Sequence, residues 1–359
     1  MSATALQSLR RAMSNAEIPA LLVSDIGNLQ WLSGFTGSSG QAIVTLHEAR
    51  FLTDSRYTLQ AKEEVKGFDV RIFASPTDSI TFLAQNASEL GLSALYAEAA
   101  NTSYSTYIKW KDRLGSIELL PADDLFARLR MVKSAEEVDR IRHSCGIADA
   151  CFSHVQRMIQ PGVSEFDLSL EIEFFIRRSG AEIAFPPIVV SGERSARPHG
   201  VPSEKKLETG DFVTMDFGAK FGGYCSDITR TIVVGKASDR HREVYEAVLR
   251  AQVAAIDQAK PGMAARDLDA VARNLLAESD LAQYFGHGLG HGLGKAVHDP
   301  GRLASTSDDV LAEGQVWTIE PGVYIEGFGG VRIEDDIVLT NSGAELLTHS
   351  PKHLLELPA

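Results

Sequence analysis

Val213-Thr214-Met215-Asp216-Phe217 and, after the glycine-containing turn Ala219 to Gly223, Cys225-Ser226-Asp227-Ile228-Thr229 set one acid into each arm of an otherwise apolar hairpin. Side chains alternate across a strand. Asp216 is therefore expected to point opposite to Met215 and Phe217, and Asp227 opposite to Ile228, so that both face one side. A second hairpin repeats the device. Val316-Trp317-Thr318-Ile319-Glu320-Pro321 ends a buried-looking run on an acid, and Gly330-Val331-Arg332-Ile333-Glu334-Asp335-Asp336-Ile337-Val338-Leu339 carries acids inside its other arm. Asp336 shares a face with Glu334, so the two are interchangeable by pattern, while Asp335 points away. Burying an unpaired carboxylate costs several kcal/mol. Each acid alone reads equally well as a solvated strand position or the partner of an arginine such as Arg230 or Arg332. Taken jointly, and with the histidines below, Asp216, Asp227, Glu320 and Glu334 call for a shared pair of divalent cations to neutralise them.

The sequence around these hairpins repeats as well. Ser134-Ala135-Glu136-Glu137 is a capping box that opens a helix. Val138, Ile141, Cys145, Ala148, Phe152, Val155 and Ile159 follow at helical spacing. Pro161-Gly162 ends that helix, and another begins near Ser164 with Phe166, Leu170, Phe174 and Phe175 apolar. One hundred residues later a helix carrying Val244, Tyr245, Val248, Ala251 and Ile256 reaches Pro261-Gly262. Pro161-Gly162-Val163 matches Pro261-Gly262-Met263, and Asp167-Leu168 matches Asp267-Leu268. Pro-Gly is common helix punctuation and can recur by chance. The matching acid-bearing hairpins favour a degenerate duplication of a helix-pair-plus-hairpin unit.

Phe285-Gly286-His287-Gly288-Leu289-Gly290-His291-Gly292-Leu293-Gly294 places two imidazoles four apart, and His298 follows seven later. The helical zinc motif needs Glu after its first His, where Gly288 stands here. So many glycines predict an extended strand or loop that lets backbone approach a ligand closely. No Gly-Lys-Ser/Thr follows, which argues against a phosphate loop. His199, in Arg197-Pro198-His199-Gly200, is a further candidate, although a lone loop histidine usually carries no chemistry.

The first ~125 residues read as mixed strand and helix, with strands at Ala20 to Val23, Ala42 to Thr45, Arg50 to Thr53, Asp69 to Phe73, Ala94 to Ala97 and Ile117 to Leu120. A boundary is expected between Pro121 and Lys133, giving domains 1–125 and 126–359. Lys and Arg total 35 against 48 Asp and Glu, a net charge of −13, which argues against nucleic acid or an anionic membrane as partner. No apolar run approaches the ~20 residues of a membrane span. The N-terminal stretch lacks the apolar core of a signal peptide. Three cysteines, Cys145, Cys151 and Cys225, make no disulfide scaffold and point to a reducing, cytoplasmic setting.

These stretches, together with Val297-His298-Asp299 and Ile319-Glu320-Pro321-Gly322-Val323-Tyr324, resemble the pita-bread metallopeptidase family on its Xaa-Pro peptidase branch. The likeness is strong from Ser134 to Pro358. It extends into the first domain through Leu32-Ser33-Gly34-Phe35-Thr36-Gly37-Ser38-Ser39-Gly40 and Thr53-Asp54-Ser55-Arg56-Tyr57, which look like short bacterial aminopeptidases P. The resemblance implies an α/β N-terminal domain and an α+β pita-bread catalytic domain with pseudo-twofold duplication. It also implies a dinuclear centre in which Asp216 binds one ion, His291 and Glu320 the other, and Asp227 and Glu334 bridge both. Oxygen donors with one imidazole favour Mn²⁺, with Co²⁺ or Zn²⁺ as the other candidates. Cys225 reads as a buried cysteine and not as a ligand.

The same resemblance implies the chemistry. The two ions activate water for attack on the peptide carbonyl, and Glu320 shuttles the proton to the leaving amine. His199 and His298 would hydrogen-bond the substrate or its oxyanion, His287 would help form the proline pocket, and Tyr324 and Arg332 would support the site. A free substrate amino group near the acids would limit cleavage to one residue. The first-domain motifs favour an Xaa-Pro aminopeptidase with Arg302 turned to solvent. The alternative is an Xaa-Pro dipeptidase, in which Arg302, four after His298, grips the product-side carboxylate. A methionine aminopeptidase usually lacks such a first domain, a creatinase does not use this metal set, and a non-catalytic binding protein of this fold typically loses ligands. A homodimer through the first domain is what the family implies.

Overall fold

The structure, a computed structural model, describes residues 2–122 and 125–358. The chain divides into two compact units, Met1–Leu129 and Arg130–Ala359. Asp123 and Asp124, inside the expected boundary stretch, lie outside the described residues.

In the first unit, strands β1 (Ala20–Val23), β2 (Gln41–Thr45), β3 (Ala49–Asp54), β4 (Asp69–Phe73), β5 (Ala94–Glu98) and β6 (Glu118–Ala122) form one sheet in the order β4-β3-β2-β1-β5-β6. Helices α1 (Ser2–Asn15), α2 (Ile26–Ser33), α3 (Thr58–Glu64), α4 (Ser79–Glu89) and α5 (Tyr104–Leu114) accompany it. Asp25, Asp78 and Ser103 cap α2, α4 and α5 by accepting a backbone N–H in the first turn. Alternation gives the sheet two apolar faces: Leu21, Val44 and Phe51 enter one core, and Leu22, Ile43 and Leu52 the other. The short α6 (Leu125–Met131) carries the chain across the division.

The second unit shows the duplication. Helices α7 (Ala135–Val155) and α8 (Glu165–Arg178) precede β7 (Glu182–Ile183), β8 (Ile188–Ser191), β9 (Phe212–Phe217), β10 (Ala219–Phe221), β11 (Tyr224–Cys225) and β12 (Ile228–Val234). Helices α9 (Asp239–Gln258) and α10 (Ala265–Ala277) precede β13 (Gly290–Gly292), β14 (Asp299–Leu303), β15 (Val316–Ile319), β16 (Gly322–Ile325), β17 (Gly329–Arg332), β18 (Asp335–Thr340) and β19 (Gly343–Leu346). A terminal β20 (Glu356–Leu357) returns to the first half, in the sheet β20-β12-β9-β8, while β14-β13-β15-β18-β19 forms its counterpart. The Pro-Gly match is structural. The Gly162 N–H donates to Leu207 O at 2.9 Å and the Leu207 N–H to Val163 O at 2.8 Å; Gly262, Leu311 and Met263 repeat these bonds at 2.8 and 2.9 Å. Gly162 and Gly262 hold φ of 91° and 87°, a left-handed region that favours glycine.

The apolar residues of α8 are divided between two faces. On α8 the buried stripe is Leu168, Ile172 and Ile176, while Phe166 and Phe174 are exposed. Stripes offset by two residues lie on opposite helix faces. Both stripes are apolar here, and the Ser164 capping box with Asp167 fixes the entry of the helix without choosing between them. Among the described residues no helix is long and apolar enough to cross a membrane.

Candidate metal centre

Each hairpin breaks where an acid is needed. β9 pairs with β12, with Thr229 opposite Asp216, and β15 pairs with β18, with Asp336 opposite Thr318. The tips form their own ladders, β10 with β11 and β16 with β17. Asp227 falls between β11 and β12, Glu320 between β15 and β16, and Glu334 between β17 and β18. These three acids sit at strand breaks, where their side chains are free of strict alternation, and Asp216 projects from β9. With His291 of β13 they reach the wall of one cavity of about 700 Å³.

Ligand atoms of Asp227, His291 and Glu334 lie within 4.8 Å of one another. His291 Nε2 is 3.5 Å from Glu320 Oε1 and 3.6 Å from Asp227 Oδ2. Its Nδ1 lies 3.0 Å from the Gly292 carbonyl, which fixes the ring and leaves Nε2 facing the acids. Asp216 gives Oδ2 to Arg332, so the arginine-pair reading applies to that oxygen. Its Oδ1 is buried without a partner, as is Asp227 Oδ1. Asp335 is a plain ion pair, with Arg230 at 2.6 Å and Lys352 at 2.6 Å. Burial would raise its carboxyl, but the two cations outweigh it and hold the group at about 2.

The electrostatics favour cations. Burial, then Glu334 and Asp216, push Asp227 well above the usual carboxylate range; burial, then Glu320 and Asp216, do the same to Glu334. Burial lifts Glu320 to about 8 and depresses His291 to about 4, so the imidazole keeps its lone pair at neutral pH. Orphaned carboxylate oxygens and a neutral imidazole form a donor set for hard or borderline divalent ions, and the residues fit such ions. A pH effect follows for metal-free protein. The raised acids hold protons in the native state that the unfolded chain releases near pH 4.5, so stability falls as pH rises through the native value. His291 and His287, both lowered to about 4 by burial, act oppositely, but only below about pH 6.5. In chelator, Tm should therefore fall from about pH 6.5 to about pH 8. Saturating metal, which holds the acids ionised, should remove the trend, and a rising metal-free Tm would contradict it.

The other predicted residues line or support the same cavity. His199, His287, His298, Arg302 and Arg332 line it. Tyr324 stands behind them: its hydroxyl bonds His287 Nε2 at 2.9 Å and accepts from Arg332 Nη1 at 2.8 Å. The His298 ring meets His291 edge-on at 4.5 Å. Arg302 is exposed and still on the wall, and it is the ladder partner of His291. Cys225 is buried and free.

The glycine run leads into the short strand β13, where Gly288 and Gly290 line the cavity, as expected of backbone that approaches a ligand, and also pack tightly against neighbouring strands. A Cβ on Gly290 would lie 2.0 Å from Thr318 O, and one on Gly292 would lie 2.1 Å from Pro300 O. Only bare backbone lets β13 sit this tightly between β14 and β15.

Several residues escaped the sequence reading. The Thr229 hydroxyl donates to Glu334 Oε2 and accepts from Arg332 Nε at 2.9 Å. Asp269 and Arg273 on α10 grip the glycine-rich strand, Asp269 by accepting the Leu289 N–H at 3.0 Å and Arg273 by donating to the carbonyls of Phe285 and His287. Their i,i+4 acid–arginine spacing was the available signal. Phe185 and Ile188 add apolar wall, Ile188 as the ladder partner of Asp216.

Comparison with known proteins bears on the family and the fold. Residues 139–341 match the profile of Metallopeptidase family M24, and residues 6–132 that of the Creatinase/Prolidase N-terminal domain. The chain is 38% identical over 352 residues to an Xaa-Pro dipeptidase of Pyrococcus furiosus, covering 98% of this chain and 99% of that one. A solved Xaa-Pro dipeptidase from Bacillus anthracis superposes with TM-score 0.97 at 42% identity, covering 99% and 100%. A solved X-Pro aminopeptidase from Thermotoga maritima gives TM-score 0.90 at 36% identity, covering 97% and 100%.

Proposed function

We propose, from the premise that this chain belongs to metallopeptidase family M24, that it hydrolyses Xaa-Pro dipeptides with two divalent cations, manganese foremost. Asp216, Asp227, His291, Glu320 and Glu334 would hold the ions. When bound, such a pair supplies Lewis-acid polarisation and water made nucleophilic at neutral pH. Glu320 would hold the proton in transit from water to the leaving proline nitrogen. His199 and His298 would donate to the carbonyl oxygen as charge develops on it. Arg332 and Tyr324 would keep Asp216 and His287 in place. The free, buried cysteines support a cytoplasmic location, and a homodimer is the expected assembly.

The observation that carries the dipeptide preference is Arg302. Directly opposed residues of an antiparallel pair project from the same face of a sheet. Arg302 therefore leaves the sheet beside His291, and among the described residues it has no acid partner. Its main-chain N–H is held by Asp309 at 2.9 Å, which leaves the guanidinium available. A cation one strand beyond the metal ligands suits the carboxylate of a C-terminal proline. This reverses the aminopeptidase preference drawn from the first-domain motifs.

The test compares an Xaa-Pro dipeptide with an Xaa-Pro-Xaa tripeptide in Mn²⁺. A charge-assisted hydrogen bond contributes ~1.5–3 kcal/mol, or roughly 10–200-fold in kcat/KM. Arg302→Ala should lower dipeptide cleavage by that factor and spare the tripeptide, where a neutral amide meets the arginine. Equal losses on both substrates, within about threefold, would return the assignment to aminopeptidase.

A further inference from the structure

We propose that Asp336 is a positioning residue for the metal centre, fixing Asp227 through the main chain while Cys145 fixes Asp336. The inference rests on the metal-site reading above. Asp336 is fully buried on β18 and is not part of the cavity wall. Its Oδ2 accepts the Asp227 N–H at 2.9 Å and the Cys145 S–H at 3.3 Å. Asp227 lies at the break between β11 and β12, beyond the ladders on either side, so Asp336 takes the place of a ladder acceptor for that N–H.

The base of this contact is hydrogen-bonded on both sides. The Asp336 N–H donates to Thr348 Oγ1 at 3.1 Å, and the next residue back is anchored on the opposite face: Asp335 is gripped by Arg230, Lys352 and Gln252. Glu334 precedes them, its N–H on Thr229 O at 3.1 Å. Glu334 and Asp227 come from opposite halves of the duplication, and each would bridge the two ions. The link Glu334-Asp335-Asp336 to the Asp227 N–H therefore ties the two bridging acids together and sets their separation. The carboxyl group carries a cost to the fold, because its Oδ1 is buried without a partner. Cys145 on α7 supplies the donor that holds the carboxylate in its rotamer.

The readout is Mn²⁺ affinity, measured by titrating chelator-treated full-length protein calorimetrically, with circular dichroism to confirm folding. Asp336→Ala should weaken Mn²⁺ binding about 10–100-fold, the usual effect of losing an outer partner of a ligand. Asp336→Asn keeps a carbonyl oxygen for the Asp227 N–H and should retain most of the affinity. Cys145→Ala, which leaves that bond intact but frees the carboxylate to rotate, should give a smaller loss. Wild-type affinity in Asp336→Ala would overturn the proposal, as would an Asn variant as weak as the Ala variant. Should Asp336→Ala fail to fold, the Asn and Cys145 variants carry the test: loss in Asn, or none in Cys145→Ala, overturns it. Asp227→Asn is the separate control, since tight Mn²⁺ binding in that variant would remove the metal-site reading itself.

Discussion

Replacing Asp227 or Glu334 with alanine is expected to abolish peptide hydrolysis and to deplete bound metal, the largest effect of any single change in this chain. Both acids belong to the cluster whose ligand atoms lie within 4.8 Å of one another. Catalytic ion pairs of this kind lie roughly 3.5–4 Å apart, and Asp227 and Glu334 are the acids that would be shared between the two ions. Asp227 and Glu334 stand one on each hairpin, so each half of the duplication would contribute one shared ligand. Removing either would leave Asp216, His291, Glu320 and the surviving acid, a set without one of the two acids proposed to be shared by both ions. The fold should survive, because the apolar cores around α7–α8 and α9–α10 are independent of the acids. Circular dichroism should remain native while elemental analysis shows the loss of metal. Full activity with normal metal stoichiometry in either variant would remove the assignment.

That pair also marks how far the sequence could be read. Asp216 and Asp227 were legible because a lone acid in an apolar strand is conspicuous and expensive. Glu334 and Asp336 were not separable by alternation, and the reason is structural. β17 ends at Arg332 and β18 begins at Asp335, so the break between them resets the face that each side chain takes. Glu334 falls in the break and turns into the cavity, whereas Asp336 is already in the second ladder and turns beneath Asp227. The duplication was legible because Pro161-Gly162 and Pro261-Gly262 mark a backbone conformation that few other residues tolerate. The α8 face was not, because two apolar stripes competed and only tertiary packing chose. Thr229 was invisible for a similar reason: a threonine in a strand is ordinary until Glu334 and Arg332 close on its hydroxyl. Arg302 was noticed, but its orientation depends on the strand pairing that sets it opposite His291, and this register is interrupted by an irregularity after His291 that no local pattern announces.

Loss of His298 or His199 is the second large effect expected. Both rings line the cavity, and among the described residues neither has a hydrogen-bond partner, so each is available to a substrate oxygen. Their placement is not accidental. His298 meets the His291 ring edge-on, and His199 follows Pro198, whose carbonyl accepts from Arg332 Nη1 at 3.3 Å. The same arginine grips Asp216, so the His199 loop is registered to the acid cluster without belonging to it. A donor aimed at a developing oxyanion is worth ~10²–10³ in kcat. His298→Ala and His199→Ala should each lose that factor in kcat while metal content stays normal, because neither supplies an atom to the close cluster of ligands. Release of metal from His199→Ala would make that ring a ligand and overturn its role. The double variant separates two arrangements. If both rings serve one oxygen, the combined loss should fall short of the product of the single losses, since residues sharing a partner do not act independently. A fully multiplicative loss would instead assign them to different substrate atoms, one to the scissile carbonyl and the other to the body of the peptide.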